Sequence, residues 1–353
     1  EIRASGEESS AAVYLALLVG DRSLLDDARW MLFRQTGTSH LVAISGLHIG
    51  LVAMLVWWLC EHLWRYTGSM PLRVPSPLVA AGAAMAAALL YAAMAGFAIP
   101  TQRALTMTLV VVAAVLARRN SDGLQALGIA VIAILLLDPR SIHSAGFWLS
   151  FAAVTVILLM LRRYPGLKSW RLLLAIQMCL SLMLVPVLAV WHFPVSPIAP
   201  IVNLLAVPWF SFIIVPGVLL SACLLMAGVP GHELLLDGVL VLIDLTLAAL
   251  DLAASPGWLV TLPEMPLAAL LGSAAGGMLL LLGRGWGVRV AGMPLLALLL
   301  WPPPQDDLRV TVLDVGQGMS VVVETTHGVL VYDLGPVYPG GFSTAGAVVM
   351  PFL

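Results

Sequence analysis

The sequence predicts an all-α polytopic membrane protein of about ten transmembrane helices, some broken or re-entrant, followed by a short β-rich C-terminal segment. Three observations predict it. Of 353 residues, 61% are apolar and 10% charged, against roughly 45–50% and about 25% in a soluble domain, so a single soluble globule is excluded. Apolar runs that suffice to cross a bilayer, at about 20 residues each, recur from residue 38 to 301. After Trp301-Pro302-Pro303-Pro304 the pattern changes to short apolar runs separated by turn residues, the signature of strands.

The elements follow in order. Glu1 to Ser10 is acidic and polar rather than a basic flank before an apolar stretch, so it is not read as a signal peptide, and the chain is expected to start inside a longer protein. Residues 9–37 read as two short amphipathic helices at the membrane surface. In the second, Ser23 is the expected N-cap, Asp26 and Asp27 favour the first turn and Gly37 ends it. Leu24, Leu25, Ala28, Met31 and Leu32 are expected on one face. Ten spans are expected near 39–60, 77–97, 100–117, 124–138, 145–161, 172–191, 207–228, 234–254, 267–283 and 288–301, and residues 172–232 contain no Asp, Glu, Lys or Arg. Cys60, Cys179 and Cys223 sit in apolar runs without CxxC spacing and read as small core residues. Leu308 to Asp314, Ser320 to Glu324 and Gly328 to Asp333 read as strands of a domain expected to continue past Leu353.

Charge placement orients the chain, because cytoplasmic loops are rich in Arg and Lys. Arg65, Arg73, Arg118, Arg119, Arg162, Arg163, Lys168, Arg171, Arg284 and Arg289 fall in odd-numbered loops, Arg103 and Arg140 in even ones. Both chain ends are therefore expected outside the cytoplasm. With 17 basic and 19 acidic side chains the formal charge is −2, so any nucleic-acid contact has to come from local geometry.

Several polar groups fall where apolar ones are expected. Ser39-His40-Leu41-Val42-Ala43-Ile44-Ser45-Gly46-Leu47-His48 puts two His and two Ser at the start of the first span, and polar groups at that depth are costly unless they face water or a partner. Ser45 and His48 can share a helix face, or Ser45 can bond its own helix while His48 bonds a neighbour. Two lone His without acidic or Cys ligands at standard spacing do not make a zinc site. Arg103, at the mouth of the third span, can meet phosphate by a forked hydrogen bond or anchor the helix at the headgroups. Asp138, in the polar turn to Ser144, can cap that turn or pair with Arg140. Pro194 to Pro200 with Asn203, Pro208 and Pro216 cannot form one regular helix, and irregular backbone at membrane depth belongs beside protein or a wet cavity. Asp237, Asp244 and Asp251 recur every seven residues, a polar stripe that faces water, Arg partners or protons, or lies at the interface. No P-loop, HExxH or GxSxG motif occurs, and Lys168 is the only lysine.

Five ordered motifs carry a resemblance: GTSHLVAISGLHIG from Gly37, IPTQRALTM from Ile99, DPRSIHSAGFWLSF from Asp138, PVSPIAPIVNLLAVPWF from Pro194 and LDVGQG from Leu313. Together they resemble the ComEC family of competence proteins, inner-membrane channels that carry single-stranded DNA into naturally transformable bacteria. The resemblance implies a competence-type channel domain over 38–301, preceded by the surface helices of 1–37. It implies a DNA path lined or shaped by His40, Ser45, Gly46, His48, Arg103 and Asn203, with Arg103 on the outer side. Asp314, Gly316, Gln317, Gly318 and Asp333 look like the opening strands of a metallo-β-lactamase-like domain over 302–353, although Met319 stands where nuclease-competent members usually carry Asp. No cofactor and no covalent chemistry are expected of the residues present. A divalent metal would belong to a later, His-rich part of that domain. The implied partners are single-stranded DNA, the lipid bilayer, an outer-side DNA receptor and a cytoplasmic helicase-like motor. Two other readings stay open: a permease for a smaller anion, and an intramembrane hydrolase using Ser45 with His48.

Overall fold

The computed structural model describes residues 8–68, 73–117, 122–255, 259–262, 265–282, 286–300, 308–325, 327–337 and 343–352. Arg118, Arg119, Arg284 and the linker 301–304, used above for orientation and the domain boundary, lie outside them, as does the side chain of Arg289. The chain forms two compact units, Glu1–Ser181 with Ser196–Leu259, and Leu182–Val195 with Val260–Leu353.

The first unit opens with helix α1 (Glu8–Leu18), which departs from the expected amphipathic surface helix. Ala11, Ala12, Val13, Tyr14, Ala16 and Leu17 are all buried, on more than one face. The small side chains at 11, 12 and 16 let neighbouring backbones close in from several sides. Helix α2 (Asp27–Thr36) is capped by Asp26, whose carboxylate accepts from the Arg29 N–H at 2.8 Å, and not by Ser23. Ser23 instead folds onto Asp21, its hydroxyl donating at 2.7 Å. Gly37 ends α2 as expected, at φ 69°, donating its N–H to the Arg34 carbonyl. The buried side of α2 is Leu32, Phe33 and Thr36, with Leu24, Ala28 and Met31 turned outward, because packing against a later helix sets its rotation.

The expected first span begins later than its hydropathy suggests. A single turn, α3 (Ser39–Val42), is followed by extended backbone at Ala43 and Ser45 before α4 (Gly46–Trp64). Then come α5 (Ser76–Met94), α6 (Ile99–Leu116), α7 (Gly123–Leu137), a 3-10 turn (Pro139–His143), α8 (Ala145–Arg163) and α9 (Ser169–Met183). Pro77 and Pro100, in the first turns of α5 and α6, sit where a missing N–H costs nothing. Asp122 and Ser144 cap α7 and α8. Ala80, Ala84, Ala88 and Ala92 give α5 a small-residue seam, buried between α4 and α6.

After a bend at 192–198 the Pro-rich segment is more regular than expected. Helix α11 (Ala199–Trp209), a π-helical turn (Phe210–Ile214) and α12 (Val215–Met226) run on as one 28-residue helix. Pro208 lies inside α11 and has no N–H to donate. The wider turn directly after it absorbs the mismatch, as π-bulges do. Helix α13 (His232–Ala254) closes the unit, packing Leu236, Val239, Leu240, Ile243, Leu247 and Leu250 toward α1, α2 and α12. The Tyr14 hydroxyl lies 2.8 Å from Ser221 Oγ and ties α1 to α12.

In the second unit, α10 (Val185–Val190) packs on α14 (Leu267–Leu282), and α14 pairs with α15 (Trp286–Leu296). Gly276 and Gly292 face each other so closely that a Cβ on Gly292 would come 2.5 Å from the Gly276 carbonyl oxygen. Strands β1 (Leu308–Leu313), β2 (Ser320–Thr325) and β3 (Gly328–Tyr332) form an antiparallel sheet in the order 1-2-3, with Val310 opposite Val323 and Val323 opposite Leu330. The expected strand ends are off by one residue at most.

The protein is thus mainly helical with a small C-terminal sheet, as expected. Among the described residues six helical stretches are long and apolar enough to cross a membrane, against the ten expected. Of the other four, α7 has 15 residues, α14 has 16 and α15 has 11, while α13, with 23, carries the three Asp. The cysteines are not core residues: Cys60 and Cys179 are half-buried and Cys223 is exposed.

Candidate functional site

Helix starts converge at one end of the first unit. A Cβ on Gly46, at the start of α4, would stand 3.3 Å from the Ala104 Cβ in the first turns of α6. A Cβ on Gly146, the second residue of α8, would stand 2.9 Å from Nη2 of Arg103. The start of α11 docks on the turn between α2 and α3: a Cβ on Gly37 would collide with the Ala199 Cβ, Asn203 Nδ2 donates to the Gly37 carbonyl at 3.3 Å, and the Ser196 hydroxyl donates to the Gln35 carbonyl. Since a helix N-terminus carries about half a positive charge, this end of the unit is electropositive before any side chain is counted.

Ser45 and His48 do not share a helix face. Ser45 is the N-cap of α4: its hydroxyl accepts from the His48 N–H, and its own N–H donates to His48 Nδ1, both at 3.4 Å. With Nδ1 accepting, the neutral ring carries its proton on Nε2. His48 is 0% exposed and that Nε2 has no hydrogen-bond partner among the described residues. The geometry does not favour a Ser nucleophile with a His base, because the imidazole addresses backbone rather than the Ser45 oxygen. His40, on the separate turn α3, is exposed.

Arg103 is 6% exposed, its Nε has no partner, and no carboxylate pairs with it among the described residues. Asn203 is 8% exposed and uses Nδ2 on Gly37, leaving Oδ1 without a partner. A buried polar atom without a partner costs about 1–3 kcal/mol. Such atoms occur on His48, Arg103 and Asn203, each in the first turns of its helix, and, elsewhere among the described residues, on Arg163, Ser211 and Ser320.

Sequence reading singled out neither of two further residues. Ser211, in the π-helical turn, is buried with an unpartnered hydroxyl. Gly146, against which Arg103 lies, follows the Ser144 cap within the DPRSIHSAGFWLSF motif, where only the polar turn had been read for chemistry. Asp138 resolves to a cap, accepting from the Arg140 N–H at 3.1 Å and the Ser141 hydroxyl at 2.7 Å, and does not pair with the Arg140 side chain among the described contacts.

The Asp stripe flanks the buried face of α13. Asp251 pairs with Arg29 of α2 at 3.1 Å, Asp237 is exposed and Asp244 is half-buried. None of the three belongs to the cluster of helix starts by any described contact. In the second unit Asp314 Oδ1 accepts from the Gly316 N–H at 3.0 Å, and Asp333 Oδ1 accepts from Leu334 at 2.7 Å and Gly335 at 3.1 Å. Gly316 at φ 74°, Gly318 at φ 139° and Asp333 at φ 61° shape these turns, with Gln317 between the two glycines. The carboxylates serve the backbone, and no group of three or more metal-ligating side chains occurs among the described residues.

Comparison with known proteins gives the same direction as the motifs. The family described as Competence protein matches residues 17–287. Competence protein ComA of Neisseria gonorrhoeae is 36% identical over 330 residues, covering 91% of this chain and 46% of that protein. The uncharacterized protein YcaI of Escherichia coli is 30% identical over 361 residues, 97% of this chain and 46% of that protein. Recombination protein 2 of Haemophilus influenzae is 32% identical over 226 residues, 60% of this chain and 28% of its own length. The chain thus spans half or less of the length of these relatives. No solved structure matches.

Proposed function

The chain belongs to the competence-protein family, and from that premise we propose that it forms the membrane part of a DNA-uptake system, passing single-stranded DNA across the bacterial inner membrane. The observation that carries the reading is that His48, Arg103 and Asn203, each in the first turns of its helix, keep buried polar atoms without a partner. Donors and a permanent cation gathered at positive helix ends suit a phosphate chain and its bases. The bends around it are short, as irregular backbone at membrane depth has to be.

In this reading the cluster faces outward, both chain ends lie outside the cytoplasm, and a receptor delivers DNA while a cytoplasmic motor draws it in. The described residues perform no covalent step. Residues 302–353 belong to a metallo-β-lactamase-like domain whose metal, where the whole protein holds one, is bound by other residues. The permease for a smaller anion is the competing reading; unpartnered polar groups on three separate helices, two of them donors and one an acceptor, favour an extended substrate.

Uptake of labelled DNA by a transformable host carrying His48→Ala in the whole gene tests the proposal, with protein levels in the membrane checked in parallel. DNA bound outside should persist while protected cytoplasmic single strands fall by an order of magnitude or more. Unchanged uptake at normal protein levels would give the cluster to the permease reading.

A further inference from the structure

Arg103 and the start of α8 press two positive charges together. Beyond the 2.9 Å approach to Nη2, a Cβ on Gly146 would stand 3.2 Å from Nη1 and 3.5 Å from Cζ, so the guanidinium points its two Nη groups end-on at the helix backbone where residue 146 has no side chain. Helix α8 is 19 residues long, and Ser144 covers the Phe147 N–H at 3.2 Å. The helix provides no internal acceptor for the N–H groups of Ala145 and Gly146. Asp138, the acid nearest in sequence, has both oxygens engaged by Arg140 N–H and the Ser141 hydroxyl. A buried cation against the positive end of a helix, with no carboxylate paired to it among the described residues, favours an anion beside it. A planar fork and a helix N-terminus are also two recurrent ways in which a protein holds phosphate.

We propose that Arg103 and the first turn of α8 form a clamp for one phosphodiester group, with Gly146 as the positioning residue that lets the fork reach the helix. The anion site stands on the geometry alone, and only its assignment to a DNA strand rests on the uptake reading. A phospholipid headgroup offers the same chemistry, but the burial of Arg103 favours a strand threaded through protein over a lipid at its edge.

The test uses the whole protein in phosphatidylcholine nanodiscs, a fluorescent oligothymidine and a peptide nucleic acid of the same sequence with an uncharged backbone. Arg103→Gln and Gly146→Ala should each weaken oligothymidine binding about tenfold and lower its salt slope by about one phosphate contact. Arg103→Lys should recover part of the affinity at most, since an ammonium cannot fork. Peptide nucleic acid binding should stay unchanged. Arg103→Gln should melt no lower than the unsubstituted protein in the absence of anions, because it removes an unbalanced charge. Undiminished oligothymidine binding in both variants would overturn the clamp, as would an equal loss for the two probes or a lower melting temperature of Arg103→Gln. An Arg103 effect seen only when phosphatidylglycerol is added would assign the site to lipid and overturn the DNA assignment. If the clamp binds DNA but His48→Ala leaves uptake intact, the uptake reading fails while the clamp stands; the converse separates them the other way.

Discussion

Two residues bracket the energetic range of single contacts in this protein. Gly37 combines φ 69° with a position where a Cβ would meet Ala199, so Gly37→Ala incurs both left-handed strain and a collision. The strain alone is about 1–2 kcal/mol, and thermal unfolding in detergent should show a loss of at least that size, with α11 the first element to come loose. Arg29→Ala should cost well under about 1 kcal/mol, since the Arg29–Asp251 pair is partly solvated on both sides. Asn203 separates stability from function. Asn203→Leu gives up one 3.3 Å hydrogen bond and also removes an unpartnered buried oxygen. The two effects oppose each other, so unfolding should shift by less than about 1 kcal/mol. DNA uptake in the same variant should fall sharply; a variant that loses stability and keeps uptake would make Asn203 a packing residue.

At the scale of elements, α1 shows what hydropathy can and cannot say. It is enclosed by α12 and α13, and its buried Tyr14 hydroxyl reaches Ser221 and the Val218 carbonyl. Tyr14→Phe should cost about 1 kcal/mol and raise amide exchange in α1 before it does so in α13. Nothing in the sequence of α1 announced this burial, because lipid and protein interior are equally apolar and the usual contrast between faces disappears. The same blindness hid the break before α4: residues 39–60 are apolar enough throughout to read as one run, while the break depends on the reciprocal hydrogen bonds of Ser45 and His48. Backbone chemistry was more legible. Gly37 as a helix stop, Asp138 as a cap and the three strands all follow from local preferences that no membrane alters. Of the site, His48, Arg103 and Asn203 were readable as polar groups out of place. Ser211 and Gly146 were not, since a serine in an apolar helix and a glycine after a cap acquire meaning only from their neighbours.

At the scale of the whole molecule, the Arg103–Gly146 contact constrains how the chain threads the membrane. Arg103 lies in the first turns of α6, Gly146 in the first turn of α8, so both helices start on the same side. Helix α7 therefore has to carry the chain back between them, although its 15 residues span only about 22 Å at 1.5 Å per residue, short of a bilayer core of about 30 Å. Local thinning of the bilayer or neighbouring polar turns accommodate the difference at modest cost. If α7 crosses, His143 and Thr67 lie on opposite sides, and the orientation proposed above from the Arg of the first loop predicts Thr67 in the cytoplasm. With Cys60, Cys179 and Cys223 replaced, His143→Cys should react with an impermeant maleimide added to intact spheroplasts, and Thr67→Cys only after permeabilisation. Both positions are exposed, so access is set by the membrane and not by packing. Labelling of both from outside would mean that α7 does not cross, and labelling of Thr67→Cys alone would invert the molecule. The clamp would then face the cytoplasm, where it would meet a strand leaving the membrane and not one entering it.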